Sequence, residues 1–330
     1  MRALLAVVAP ALLWLLLSIP VGADGDGVIE GRVVNGSDGG GPVGDLVVTL
    51  STDDPETTGE SAARTNPLGQ FRFERLSTSP DVHTLSVRYQ GVDYMVGGIQ
   101  IDARSPSGQA ELRVYEATTS AEAVTVLLDH QVVKVRPDER RLEVVNYIEV
   151  ANRGDRTVVG PGAGKTLRFP LPEGAENVQF LGALSETGAL LDGRVSDRYQ
   201  AIPPGEHELL IAYDLPYTDH SFIFRKPLDF HTEKAVFLIS AREVKAESRQ
   251  MPATTEVDTA AGAYQILSAD DLTAATVLEV TLTGLPASGG TSLSGLLAAT
   301  AVILAILVLG TMVAYVRLRR RPDPGRASEE

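Results

Sequence analysis

The sequence predicts an all-β exterior of two tandem β-sandwiches, followed by one transmembrane helix. Three observations carry this reading. Short β-branched runs separated by Gly, Pro, Asn and Asp fill residues 24–286, with little helical periodicity. Leu296–Val316 is an apolar run of 21 residues, and Arg317, Arg319, Arg320 and Arg321 follow at once. The 330 residues include no cysteine, so such a fold must be held by its core rather than by disulfides.

Residues 1–23 read as a secretory signal peptide. Arg2 supplies the positive start, Ala3–Leu17 is apolar, and Val21-Gly22-Ala23 ends in the small residues a signal peptidase requires. At the other end, residues 287–293 form a Gly/Ser linker and 294–316 the span. Twenty-one helical residues cover about 31 Å, close to the hydrocarbon thickness. The arginines place residues 317–330 in the cytoplasm by the positive-inside rule. The expected location is a cell membrane, single-pass, with the N-terminal domains outside the cytoplasm.

Charge narrows the partners. Of the whole chain 43 residues are acidic and 29 basic, a net of −14. Without Arg2 and the five arginines of the tail 23 basic residues remain, and without Asp323, Glu329 and Glu330 there remain 40 acidic ones, a net of −17. Nucleic-acid binding needs clustered positive charge and is excluded. The only tryptophan, Trp14, lies in the signal segment, which weakens an aromatic platform for sugars.

Residues 24–116 form the first block. Val28–Val34 reads as a strand, followed by the turn-rich Asn35–Pro42, and Leu46–Leu50 as a second strand. Thr65-Asn66-Pro67-Leu68-Gly69 is a turn. Gln70–Glu74 alternates with Phe71 and Phe73 on one face, His83–Tyr89 alternates again, and Ala110–Tyr115 closes the block.

Gly31, Val33, Pro42, Val47, Val48, Leu50, Thr65, Asn66, Gly69, Phe71, Phe73, Leu76 and Tyr89 together resemble the carboxypeptidase regulatory-like (prealbumin-like) β-sandwich domain. That family commonly has Asp where Asn66 stands, and Pro-Gly where this chain has Ser79-Pro80-Asp81. The resemblance covers under a third of the chain. It implies an accessory module in a binding or spacer role, without catalytic residues of its own.

Residues 117–286 read as a second, larger Ig-like sandwich. Ala123–Leu128 and Val132–Val135 are two strands, and Arg141–Val150 is a longer one with Leu142, Val144, Asn146, Ile148 and Val150 on one parity. Asn152–Asp155 is a tight turn, and Leu167–Pro172, with its two prolines, an edge strand. Pro203–His207 is a turn, and Glu208–Tyr213, Phe222–Phe224, Val236–Ile239 and Val277–Leu285 are strands. The polar stretches 184–200 and 241–265 read as long loops.

Few motifs carry chemistry. Val159–Thr166 imitates a phosphate loop, but Val159 stands where the first glycine belongs and Leu167–Pro172 cannot form the required helix, so no nucleotide is expected. Asp219 and His220, and Asp229 and His231, would make a weak site for zinc or copper if they met across a hairpin. Asp24/Asp26, Asp53-Asp54 and Asp270-Asp271 match no spaced calcium loop. There is no Gly-x-Ser-x-Gly elbow. Asn35-Gly36-Ser37 is a lone glycosylation sequon.

The expectation is therefore a non-catalytic, membrane-anchored bacterial binding or scaffold protein without a cofactor. Its partner is an unknown protein or a cell-surface glycan, met by loops at the sandwich ends or by an exposed sheet edge, with Asp219, His220, Asp229, His231 and the 35–45 loop as the candidate contacts. One alternative is a carbohydrate-binding surface module, with Tyr89, Tyr94 or Tyr217 stacking on a sugar. Another is an accessory subunit of an extracytoplasmic assembly or transport complex.

Overall fold

The computed structural model describes residues 26–52, 61–79, 82–160, 169–182, 188–191, 194–197, 201–240, 244–259 and 262–286. The signal segment, the Asp53-Asp54 pair, most of the phosphate-loop imitation and the segment 294–316 lie outside them. No helix among the described residues is long and apolar enough to cross a membrane. The described residues are all-β and contain no α-helix. They fall into two compact units: 26–34, 41–88 and 94–113 in the first, 35–40, 89–93 and 114 onward in the second.

The first unit holds two sheets, one of three strands and one of four. One runs in the order β4 (Gln70–Leu76), β1 (Gly27–Asn35), β7 (Ser107–Val114). The other runs β3 (Ser61–Arg64), β2 (Val47–Thr52), β5 (Val82–Tyr89), β6 (Val92–Gln100). Period-two alternation decides the buried faces: Ile29, Val33, Phe71, Phe73 and Leu112 on the first sheet, Val48, Leu50, Leu85 and Val87 on the second. Phe71 and Phe73 do share a face and meet edge to face at 6.0 Å.

The turn before β4 is built by side chains. Asn66 Oδ1 accepts the Leu68 and Gln70 amides, both at 2.9 Å. Here Asn makes the local turn that an Asp would make. Gly69 has φ +75°, and a Cβ there would stand 2.4 Å from the Val33 carbonyl. Strands β3 and β6 escape the sequence reading. β3 is short and mostly exposed. β6 follows β5 through Gln90 and Gly91, whose φ values of 47° and 82° close a two-residue hairpin loop without the usual Asn-Gly.

The second unit is dominated by a seven-stranded sheet. Its strands are β9 (Val124–Arg136), β10 (Arg141–Asn152), β13 (Glu176–Leu181), β17 (Gly205–Pro216), β19 (Thr232–Ser240), β21 (Ala253–Thr259) and β22 (Gly262–Leu272). The spatial order is β13-β17-β10-β9-β19-β22-β21, antiparallel except for the β9–β19 pair. A three-stranded sheet of β18 (Ser221–Pro227), β23 (Val277–Thr283) and β20 (Lys245–Glu247) shares one hydrophobic core with it. Phe224 of β18 meets Phe237 of β19 edge to face, ring centroids 5.1 Å apart. Two minor three-stranded sheets complete the unit. One combines β8 (Ala117–Thr118), β11 (Thr157–Val159) and β16 (Ala201–Ile202), the other β12 (Phe169–Pro170), β14 (Gly188–Leu191) and β15 (Arg194–Asp197). Strand β12, with Pro170, sits at an edge, as a proline in a sheet requires.

Three sequence readings are corrected here. The two strands at 123–128 and 132–135 are one continuous strand, β9; its polar middle, Asp129-His130-Gln131, is buried rather than looped out. The stretch 241–265 contains β20, β21 and the start of β22. β21 is an edge strand, exposed over Ala253–Asp258, so it has no buried face to impose apolar alternation. In 184–200, β14 and β15 pair antiparallel from Gly188–Asp197 to Leu191–Arg194.

Phe237 is 1% exposed. Phe237→Ala is expected to destabilise the second unit by about 3–5 kcal/mol through lost burial and an unfilled cavity. A lower urea midpoint at unchanged slope checks this, and an unchanged midpoint contradicts the packing described.

Candidate functional site

The chemistry of the second unit concentrates in its interior. In β9 and β10 the pairs Asp129–Ile148, Gln131–Asn146 and Val133–Val144 lie opposite one another. The parity that buries Val144 and Ile148 therefore also buries Asn146, Asp129 and Gln131. On β17, Tyr213 pairs with Val144 and adds its phenol to the same face. From the facing sheet β18 directs Phe224 and, two residues on, Lys226 into the core. Asn146 is 0% exposed, Lys226 and Tyr213 1%, Gln131 2% and Asp129 3%.

These groups satisfy one another. Lys226 Nζ donates to Asp129 Oδ1 at 2.7 Å, to Asp129 Oδ2 at 2.6 Å and to Asn146 Oδ1 at 2.9 Å. Three donors thus meet three acceptors, the full capacity of an ammonium. Asn146 Nδ2 donates to Asp129 Oδ1 at 2.8 Å, and Gln131 Nε2 to the same oxygen at 2.6 Å. Tyr213 closes the chain by donating to Gln131 Oε1 at 2.9 Å. Burial pushes the Lys226 ammonium pKa down, only partly offset by Asp129. Burial, then Asp129, pushes the Tyr213 phenol up.

His130 lies on the other face of β9, opposite Tyr147 on β10 and Val236 on β19. It is 4% exposed, and its Nε2 is buried without a hydrogen-bond partner. Burial pulls its pKa from 6.5 to about 4, against the opposing charge of neighbouring Asp129.

The residues singled out from sequence stand elsewhere. Asp219 and His220 precede β18, Asp229 and His231 follow it, and the extended strand separates the pairs by roughly 20 Å. β18 pairs with β23, so no hairpin joins them. His220 Nδ1 contacts the Leu285 carbonyl at 2.9 Å, and His231 Nε2 lies 3.6 Å from Asp271. Asp229 pairs with Arg194, and Asp219 accepts from Thr218. No group of three or more metal-ligating side chains occurs among the described residues. Asp270 of the acidic pair meets Lys234 at 3.4 Å.

The tyrosines proposed as a sugar platform are not exposed rings. Tyr94 and Tyr217 are core residues, 7% and 4% exposed, because both fall on buried strand or strand-end positions. Tyr89 is half-buried and donates to Glu116 at 2.8 Å. In the 35–45 loop, Ser37 is 5% exposed and donates to the Asp155 carbonyl at 2.8 Å within the second unit. Asn35 Nδ2 is engaged by Glu116 at 3.0 Å.

The first unit carries an open groove of about 790 Å³ on the outer face of β4-β1-β7, lined by Glu30, Arg32, Arg64, Arg72 and Glu111 among others. Each arginine in it has a carboxylate partner: Arg32 with Glu111, Arg64 with Asp45, Arg72 with Glu30 and Glu74. Arg113 and Arg32 hold the Glu111 carboxyl below the usual range. The arginines of the groove are thus paired with carboxylates.

No family model matches the chain, and no curated protein sequence matches it. Among solved structures the chain is similar to an M1 zinc metallopeptidase from Deinococcus radiodurans, at 11% identity over 49% of this chain and 42% of that one, TM-score 0.30. It thus spans less than half the length of that protein. It is also similar to the full-length major pilin SpaD from Corynebacterium diphtheriae, at 10% identity over 77% of this chain and 82% of that one, TM-score 0.24.

The buried imidazole sets a pH dependence. Between about pH 4 and 6.5 the unfolded chain binds a proton at His130 that the folded chain does not. Stability is therefore lost as pH falls through that window, by up to about 3 kcal/mol. The stability difference between the native chain and His130→Gln, measured by urea unfolding at several pH values, is expected to shift against the native chain by that amount between pH 7 and 4. A pH-independent difference contradicts it.

Proposed function

We propose that the chain is a single-pass, membrane-anchored extracytoplasmic protein in which two tandem β-sandwiches serve as a non-catalytic binding or scaffold region. The observation that carries this reading is the uncharged run Leu296–Val316 followed directly by Arg317, Arg319, Arg320 and Arg321. The apolar start with its small-residue exit at Val21-Gly22-Ala23 supports export. The absence of cysteine from an all-β region agrees with a protein that relies on its core and polar interior. In this reading the first sandwich is the carboxypeptidase regulatory-like module, and the chain works as an accessory subunit of an extracytoplasmic complex. The burial of Tyr94 and Tyr217 favours this over a carbohydrate-stacking module.

The test is membrane topology. Alkaline carbonate is expected to leave the full chain in the membrane pellet, and protease added from outside to digest the β region while sparing a tag on the C-terminal tail. Release by carbonate, or a protected β region, contradicts the reading. Crosslinking in the native membrane should then recover a recurring protein partner.

A further inference from the structure

We propose that Lys226 and Asn146 become joined by an intramolecular amide bond, formed inside the second unit with Asp129 as the acid and base. The juxtaposition of three groups carries this: a buried amine, a buried carboxamide in contact with it, and a carboxyl that touches both. Lys226 Nζ stands 2.9 Å from Asn146 Oδ1, which brings the amine against the amide group it would attack. Asp129 accepts from Nζ on both oxygens and from Asn146 Nδ2 on one. It is therefore in place to take a proton from the nucleophile and deliver one to the leaving nitrogen.

The surroundings favour the reactive forms. An amine attacks only when neutral. Moving one proton from Lys226 to Asp129 replaces two buried charges by none, which an apolar interior favours. Ile148, Ala235, Phe237, Ile211 and Phe224, each 2% exposed or less, belong to the surrounding core. Burial also lowers the affinity of Lys226 for its proton. Little bulk water can reach the centre to compete with the amine.

The step balances without an oxidant or cofactor. Neutral Asp129 donates its proton to Asn146 Oδ1 as the Nζ lone pair forms the N–Cγ bond. Asp129, now a carboxylate, takes a proton from Nζ. It passes that proton to Nδ2, the Cγ–Nδ2 bond breaks, and ammonia leaves. As the carbonyl reforms, the proton on Oδ1 returns to Asp129. A cavity of about 20 Å³ bordered by Asp129, Lys226, Ile148, Phe169, Leu228 and Phe230 is of the size that holds one water, hence one ammonia.

Asn146 rather than Asp129 is the acceptor because of what the product leaves behind. Joined to Asn146, Lys226 keeps one N–H for Asp129, protonated Asp129 donates to the new carbonyl, and Gln131 retains its acceptor. An amide to Asp129 would remove the carboxyl on which both Gln131 and Asn146 depend.

The test is peptide mapping of the full chain after denaturation and trypsin. The expected product is a branched peptide in which Leu142–Arg153 is joined to Lys226–Lys234, lighter than the sum of the two by one ammonia. Recovery of the two peptides unlinked overturns the proposal. A link from Lys226 to Asp129 with loss of water overturns the choice of acceptor. These outcomes need no variant. The role of Asp129 is read from Asp129→Asn, of nearly equal volume, which is expected to yield the unlinked peptides, and from Asp129→Glu, which is expected to restore a linked fraction. A fully linked Asp129→Asn chain overturns that role.

Discussion

The second unit is organised around one ionic contact in its apolar core, Lys226 to Asp129. An ammonium and a carboxylate taken out of water each cost several kcal/mol, and their attraction repays this only when every remaining proton and lone pair is matched. Here the matching extends over four strands: Lys226 on β18, Asp129 and Gln131 on β9, Asn146 on β10 and Tyr213 on β17. Because side chains alternate with period two, a register shift of one residue in any of these strands would turn its polar member out of the network. The network therefore selects one register for the centre of the large sheet and one placement of β18 over it. Apolar packing alone, tolerant of rearrangement, would select these less sharply.

How far this was legible in the sequence differs from residue to residue. The alternation of Phe71 and Phe73, or of Leu142, Val144, Ile148 and Val150, announces strands because each has one buried face. The same rule already placed Asn146 on the buried parity, and a polar residue in that position is the signal that leads to the site. Asp129-His130-Gln131 misled for the complementary reason. Three polar residues between apolar runs look like a loop, and only partners distant in the chain make them acceptable inside a strand. Lys226 lies 97 residues from Asp129 and 80 from Asn146, and no local pattern links them. Asp219, His220, Asp229 and His231, by contrast, were close in sequence but are held apart by the length of β18.

The two units differ in that the second, besides exposed pairs of its own such as Arg225 with Glu279, buries one. The first spreads its charges over the outer face of β4-β1-β7, where Arg32, Arg72 and Arg113 alternate with Glu30, Glu74 and Glu111. Such exposed pairs contribute little stability each, but they keep a flat sheet face hydrated and poorly suited to indiscriminate association. The second unit places its decisive charges inside, where screening by salt is weak. Their contribution is specificity of structure, and the interior supplies conditions that a surface pair lacks: a fixed geometry, a low dielectric and exclusion of water.

Those conditions bear on how a β protein without cysteine can be made durable. A disulfide stabilises chiefly by closing a loop in the unfolded chain. The proposed amide would do the same without a thiol. Asn146 and Lys226 are 80 residues apart, a closure worth about 4–5 kcal/mol on the same entropic scale. Unlike a disulfide, an amide is indifferent to the redox poise of its surroundings. It would also tie β10 of the large sheet to β18 of the facing sheet, so that the two halves of the core could no longer part by simple separation. The groups the product leaves are uncharged, which removes the desolvation cost of the ion pair from the folded state. The buried pair is thus better understood as a precursor than as an end state: its charges are costly where they stand, and the bond they are positioned to form disposes of both.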